Sequence, residues 1–217
     1  MTHAPQTLPI DSNAVLWSAS QSELERRPLL VLLHGYGSHE GDLFGLSPYL
    51  PLEPVIASVR APIAESGGYA WFSRSNGDSG NPGSPWADAA AHGVLDWLDS
   101  LPPAASVGLF GFSQGAAMTL HLLRHAPDRF AYAVSLSGFV VAGALPGDAR
   151  LAQQRIPVFW GRGTEDEVIP AEAVQRTADW LPGHADLDAR IYEGLGHGIA
   201  QRELADIGAF VLPHLSR

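Results

Sequence analysis

The 217-residue sequence contains no cysteine. That absence excludes disulfides, thiolate nucleophiles and cysteine-ligated zinc together. Basic residues are also scarce. Thirteen Lys and Arg stand against 23 Asp and Glu, for a formal net charge of -10, which disfavours nucleic acid or an anionic membrane surface as a partner. The opening MTHAPQTLPIDSN has neither a basic start nor an apolar run, so no signal peptide is expected. Long hydrophobic runs are missing too. The longest apolar-looking stretch, residues 130–145, is broken by Ser135, Ser137, Gly138 and Gly143, short of the roughly 20 apolar residues a membrane span needs. A cytoplasmic location without stable membrane insertion is the expectation.

What is present is a large apolar fraction: 46% hydrophobic residues and only 17% charged. This fits a packed core and excludes a disordered or coiled-coil chain. The length suits one α/β domain over residues 1–217 better than two small ones. Runs at 29–33, 55–59, 107–110, 132–136, 157–160 and 189–192 read as strands, and 15–18 as an added edge strand. Strands apolar on both faces belong in a parallel sheet covered by helices. Between them, Ala90, Val94, Trp97, Leu98 and Leu101 recur at helical spacing and predict a helix over 86–100. Another continues directly from the strand at 107–110 over 115–125. Pro170 opens a third, expected to stop before Pro182-Gly183. Leu204, Ile207, Val211 and Leu215 stripe a last one. The alternation implies an open, mostly parallel sheet with helices on both faces. Ser73 to Pro85 (SRSNGDSGNPGSP) reads as an irregular loop on the active-site side.

The chemistry centres on Gly111-Phe112-Ser113-Gln114-Gly115. Gly-x-Ser-x-Gly is weak alone, but here it follows an apolar strand and precedes a helix-competent run, the context of a nucleophile elbow. A serine hydroxyl needs a base. In such folds the order is Ser, acid, His, so the base lies late in the chain. His197, in the glycine-rich Gly194-Leu195-Gly196-His197-Gly198, is the candidate among nine histidines. The orienting carboxylate falls in residues 161–170 (GRGTEDEVIP), where Glu165, Asp166 and Glu167 are equivalent by composition. His121 and His125, four apart on one helix, have a metal-compatible spacing, but no third ligand stands nearby in sequence, and a surface pair is the expected reading.

The segments around Ser113, residues 163–170 and Gly196-His197-Gly198 together resemble the motifs of the phospholipase/carboxylesterase family of α/β-hydrolases. His34-Gly35-Tyr36-Gly37, and Ala61-Pro62 followed downstream by Trp71-Phe72, resemble two further family motifs. The resemblance spans roughly residues 28–200. It implies an α/β-hydrolase fold and a serine carboxylesterase acting on small-molecule or lipid esters, thioesters or lysophospholipids. It also implies Asp166 as the acid, backbone amides of Tyr36 and Gln114 as oxyanion donors, and Trp71 and Phe72 as walls of an acyl pocket. The stretch 63–70 is shorter than in many members, so the cover over the acyl site is expected to differ. No metal or organic cofactor is implied. A non-catalytic ligand-binding relative, or amide hydrolysis on the same triad, are the competing readings, and oligomeric state is left open.

Overall fold

The computed structural model describes residues 5–73, 77, 78, 81, 82 and 84–215. In chain order the strands are β1 Leu16–Trp17, β2 Leu29–Leu33, β3 Val55–Val59, β4 Ile63–Glu65, β5 Gly68–Ala70, β6 Gly77–Asp78, β7 Asn81–Pro82, β8 Val107–Phe112, β9 Tyr132–Leu136, β10 Ile156–Gly163 and β11 Ala185–Tyr192. The helices are α1 Glu40–Phe44, α2 Ser84–Asp99, α3 Gln114–His125, α4 Asp148–Gln154, α5 Ala171–His184 and α6 Gln201–Val211.

Seven strands form one sheet in the order β1-β3-β2-β8-β9-β10-β11. Only β1 runs antiparallel, against β3; the other pairings are parallel. The apolar runs dictate this arrangement. All five residues of β2, β3 and β9 are buried, and alternate residues of one strand feed opposite faces. Leu29, Val31 and Leu33 pack with residues of α2, α3 and α5, while Leu30 and Leu32 pack with Leu204, Ile207 and Val211 of α6. The mostly parallel sheet between helical layers is therefore as expected. Parallel strands all point one way, so the loops after β2, β8, β9, β10 and β11 gather at one sheet edge, where ligands bind in such folds.

Three boundaries differ from the sequence reading. β11 begins at Ala185, four residues earlier than expected. It is the sheet's last strand and has several exposed positions, so Asp186 and Asp188 face outward without disturbing its parallel register on β10. Helix α5 continues through Pro182 to His184. Proline removes one helical hydrogen bond, but fully buried Leu181 anchors this turn. Trp180 also stacks on His184 at 3.9 Å, and the His184 ring bonds the Trp180 carbonyl at 2.7 Å. Third, the glycine- and serine-rich stretch contains the paired β6 and β7, and α2 starts within it at Ser84. Residues 74–76, 79, 80 and 83 of that expected loop lie outside the described residues. No helix among the described residues is long and apolar enough to cross a membrane.

Candidate active site

The turn between β8 and α3 sets Ser113 above the sheet. Its φ of 56° and ψ of -117° fall in a region costly for an L-residue, about 1–3 kcal/mol. The tight turn is possible because Gly111 and Gly115, two positions to either side, carry no Cβ. A Cβ on Gly115 would lie 1.8 Å from the Leu33 carbonyl oxygen, and one on Gly111 would lie 2.3 Å from the Gly115 oxygen. Only glycines let α3 press this closely onto the ends of β2 and β8. Gln114 is the first helical residue, so its N–H has no partner within the helix and points where the helix dipole favours negative charge.

Two loops at the far side of the sheet bring the remaining groups. The loop after β10 and the loop after β11 are knitted together by Thr164 N–H to Tyr192 O at 3.1 Å and Glu165 N–H to Leu195 O at 2.9 Å. Gly194 N–H donates to Thr164 Oγ1 at 2.9 Å. This brings Asp166, His197 and Ser113 into line. His197 Nδ1 donates to Asp166 Oδ2 at 2.8 Å, and Ser113 Oγ donates to His197 Nε2 at 2.9 Å. The Phe112 ring packs on the imidazole at 4.9 Å between centroids.

Of the three adjacent acids, Glu165 and Glu167 are exposed, while the Asp166 side chain is 7% exposed. Asp166 Oδ1 accepts from Val168 N at 3.0 Å and Ile169 N at 3.2 Å. Burial works against its ionisation, but His197 and these two amides outweigh it, and the carboxyl is held below its ordinary pKa. An ionised, fixed Asp166 keeps the Nδ1 proton in place and leaves Nε2 to accept from serine. A cleft of about 470 Å³ adjoins Asp166, lined by Ser137, Arg162, Thr164, Ile169 and Val174 among others.

The His34-Gly35-Tyr36-Gly37 turn follows β2 and passes beside Ser113. A Cβ on Gly35 would sit 3.4 Å from that of Ser113. The turn is pinned by Gly37 N–H to Tyr69 O at 2.9 Å, and Tyr36 Oη donates to Glu65 Oε1 at 2.7 Å. The short stretch after Ala61-Pro62 is thus the β4–β5 hairpin that braces this turn. His34 is buried. Its Nδ1 donates to Gly35 O at 2.7 Å and its Nε2 accepts from Ala61 N at 3.1 Å. Burial lowers its pKa, with the Gly35 carbonyl opposing, so it is a neutral brace.

Two placements correct the sequence reading. Trp71 is 0% and Phe72 4% exposed, so both side chains sit in the hydrophobic core, where the sequence reading expected pocket walls. Their motif serves to hold the turn. Trp71 Nε1 donates to His34 O at 2.9 Å, while the Gln114 side chain accepts from Trp71 N at 2.8 Å and donates to Phe72 O at 2.7 Å. The Gln114 side chain is therefore the tie between elbow and turn, a role that backbone reasoning alone overlooked. Second, His121 is not a surface residue: it is 1% exposed, and Asp88 of α2 reaches it at 2.8 Å.

A mostly parallel, helix-flanked sheet with serine, aspartate and histidine in this chain order at its C-terminal edge defines an α/β-hydrolase. Among solved structures, a Bacillus cereus carboxylesterase matches with a TM-score of 0.77 at 20% identity, over 93% of this chain and 94% of its own. Zea mays acyl-protein thioesterase 2 matches with a TM-score of 0.72 at 25% identity, over 92% and 98%. In sequence, acyl-protein thioesterase 1 of Eremothecium gossypii is 28% identical, over 85% of this chain and 87% of its own length. Residues 18–215 match the phospholipase/carboxylesterase family, and the chain belongs to that family of ester-bond hydrolases.

Proposed function

We propose that the protein hydrolyses carboxylic ester or thioester bonds of small-molecule or lipid substrates through an acyl-enzyme on Ser113. The unbroken hydrogen-bond chain Asp166–His197–Ser113, at 2.8 and 2.9 Å, carries this reading. His197 takes the Ser113 proton as Oγ attacks the acyl carbonyl, and Asp166 stabilises the imidazolium. The carbonyl oxygen becomes an oxyanion held by the N–H groups of Gln114 and Tyr36; one such donor contributes about 2.7–4 kcal/mol. The imidazolium then gives its proton to the leaving alcohol or thiol. Water, activated by His197, attacks the acyl-enzyme and releases the acid, restoring serine. The reaction as written needs no metal or organic cofactor.

Carboxylesterase and acyl-protein thioesterase relatives support the ester or thioester class, because both substrates present the same acyl carbonyl to the same triad. An acyl-chain-length series of p-nitrophenyl esters beside one acyl thioester tests the substrate class. Asp166→Asn should lower kcat on the order of 10⁴-fold by stabilising the wrong histidine tautomer, whereas Glu165→Gln and Glu167→Gln stay near wild type. A large loss in either Glu variant with an active Asp166→Asn overturns the acid assignment.

A further inference from the structure

Away from the triad, α2 and α3 bring three ligand-type side chains to one point. His121 and His125 stand one turn apart on α3, and Asp88 faces them from α2. Asp88 Oδ1 lies 2.8 Å from His121 Nε2 and 3.0 Å from His125 Nε2, and the two Nε2 atoms are 3.3 Å apart. Two ring nitrogens and one carboxylate oxygen thus form a triangle that hydrogen bonding satisfies poorly. If both rings donate to the one oxygen, two N–H groups confront each other. If one ring donates to the other, that donor is turned away from the carboxylate.

We propose that Asp88, His121 and His125 bind a single divalent transition-metal ion, zinc by ligand preference, which staples α2 to α3. The distances carry this. Ligand bonds of about 2.05 Å suit imidazole and carboxylate on zinc, and a point that far from all three atoms lies about 1 Å out of their plane without any atom moving. Tetrahedral ligands at that bond length stand about 3.3 Å apart, which is the His121–His125 separation; the two Asp88 edges need open by only about 0.3–0.5 Å. The burial is graded as a protein site with one open position requires, with the side chains of His121, His125 and Asp88 at 1%, 15% and 28% exposure. His92 stands beside the three ligands, its ring meeting His125 edge-on at 5.1 Å between centroids. Two histidines and a carboxylate select zinc, nickel or copper over magnesium or calcium, which prefer all-oxygen sites.

The ion is structural here, not part of the acyl chemistry. At 1.5 Å rise per residue, His121 and His125 lie about 10 and 16 Å along α3 from Gln114. Tag-free, chelator-dialysed protein is titrated with zinc chloride and followed by equilibrium dialysis and thermal melting. The expected result is one zinc per chain with Kd at or below the micromolar range. At 100-fold excess over Kd, Tm should rise by roughly 5–10 °C. Asp88→Asn and His125→Gln, both partly exposed positions, should each weaken zinc binding at least 100-fold while far-UV circular dichroism and ester hydrolysis persist. X-ray absorption of the cobalt- or zinc-loaded protein should show two imidazoles in the coordination sphere. No saturable site below about 100 µM, or stoichiometric binding that survives the Asp88→Asn/His125→Gln double variant, overturns the proposal.

Discussion

Glu203 offers a sharp test of how the protein's interior handles charge. It is 1% exposed in the first turn of α6, directly after the loop that carries His197. One carboxyl oxygen accepts from Ala200 N at 3.3 Å. The other lies over β10, where a Cβ on Gly161 would come within 2.2 Å of it. Burial, opposed by the Ala200 amide and by Arg202 and aided by Asp206, raises its pKa from 4.5 to about 7. At about 1.36 kcal/mol per pKa unit, that rise corresponds to about 3 kcal/mol. The unfolded chain titrates near 4.5 and the folded chain near 7, so the folded state holds the extra proton between those values. The contribution is therefore complete below about pH 4.5 and is lost as pH rises through 7. Glu203→Gln keeps the acceptor for Ala200 and never ionises. Near pH 4.5 the variant should match the wild type, and near pH 8.5 it should exceed it by up to about 3 kcal/mol, roughly 6–12 °C in Tm for a chain of this size. Urea unfolding followed by circular dichroism at both pH values measures this directly. A stability difference that does not change with pH, or a variant weaker than wild type at pH 8.5, refutes the reasoning.

Other outcomes follow from the site's scaffolding. Gln114→Ala leaves the buried Trp71 N–H and Phe72 carbonyl without their partner, and should cost about 2–4 kcal/mol in urea unfolding. Tyr36→Phe removes the side-chain hydroxyl, with its contacts to Glu65 and Ser66, and leaves the backbone N–H in place. If the Tyr36 backbone is the oxyanion donor, steady-state kinetics should show kcat within about twofold of wild type; loss of a donor would cost about 10²-fold.

Sequence patterning was most informative where burial is complete on both faces. The runs at 29–33, 55–59 and 132–136 leave no alternative to interior parallel strands. It was least informative at the margin of the sheet, where β11 mixes aspartates with apolar residues because only one neighbour and one covered face constrain it. Ser113 and His197 could be singled out from local context, since a strand-to-helix turn and a glycine-rich loop are local features. Asp166 needed the family resemblance, because which of three neighbouring acids turns inward depends on how the loop after β10 is knitted to the loop after β11. The side-chain task of Gln114, the burial of Trp71 and the approach of Asp88 to His121 are contacts between distant segments. Nothing in residue spacing announces them.

Acyl transfer through Ser113 is tested most directly by mass spectrometry of the intact protein during turnover of a slow p-nitrophenyl ester. The account predicts a transient mass increase of one acyl group, mapped by peptide digestion to Ser113 and absent in Ser113→Ala, which should also lose fluorophosphonate labelling. An acyl group on another residue, or unchanged hydrolysis by Ser113→Ala, would contradict it.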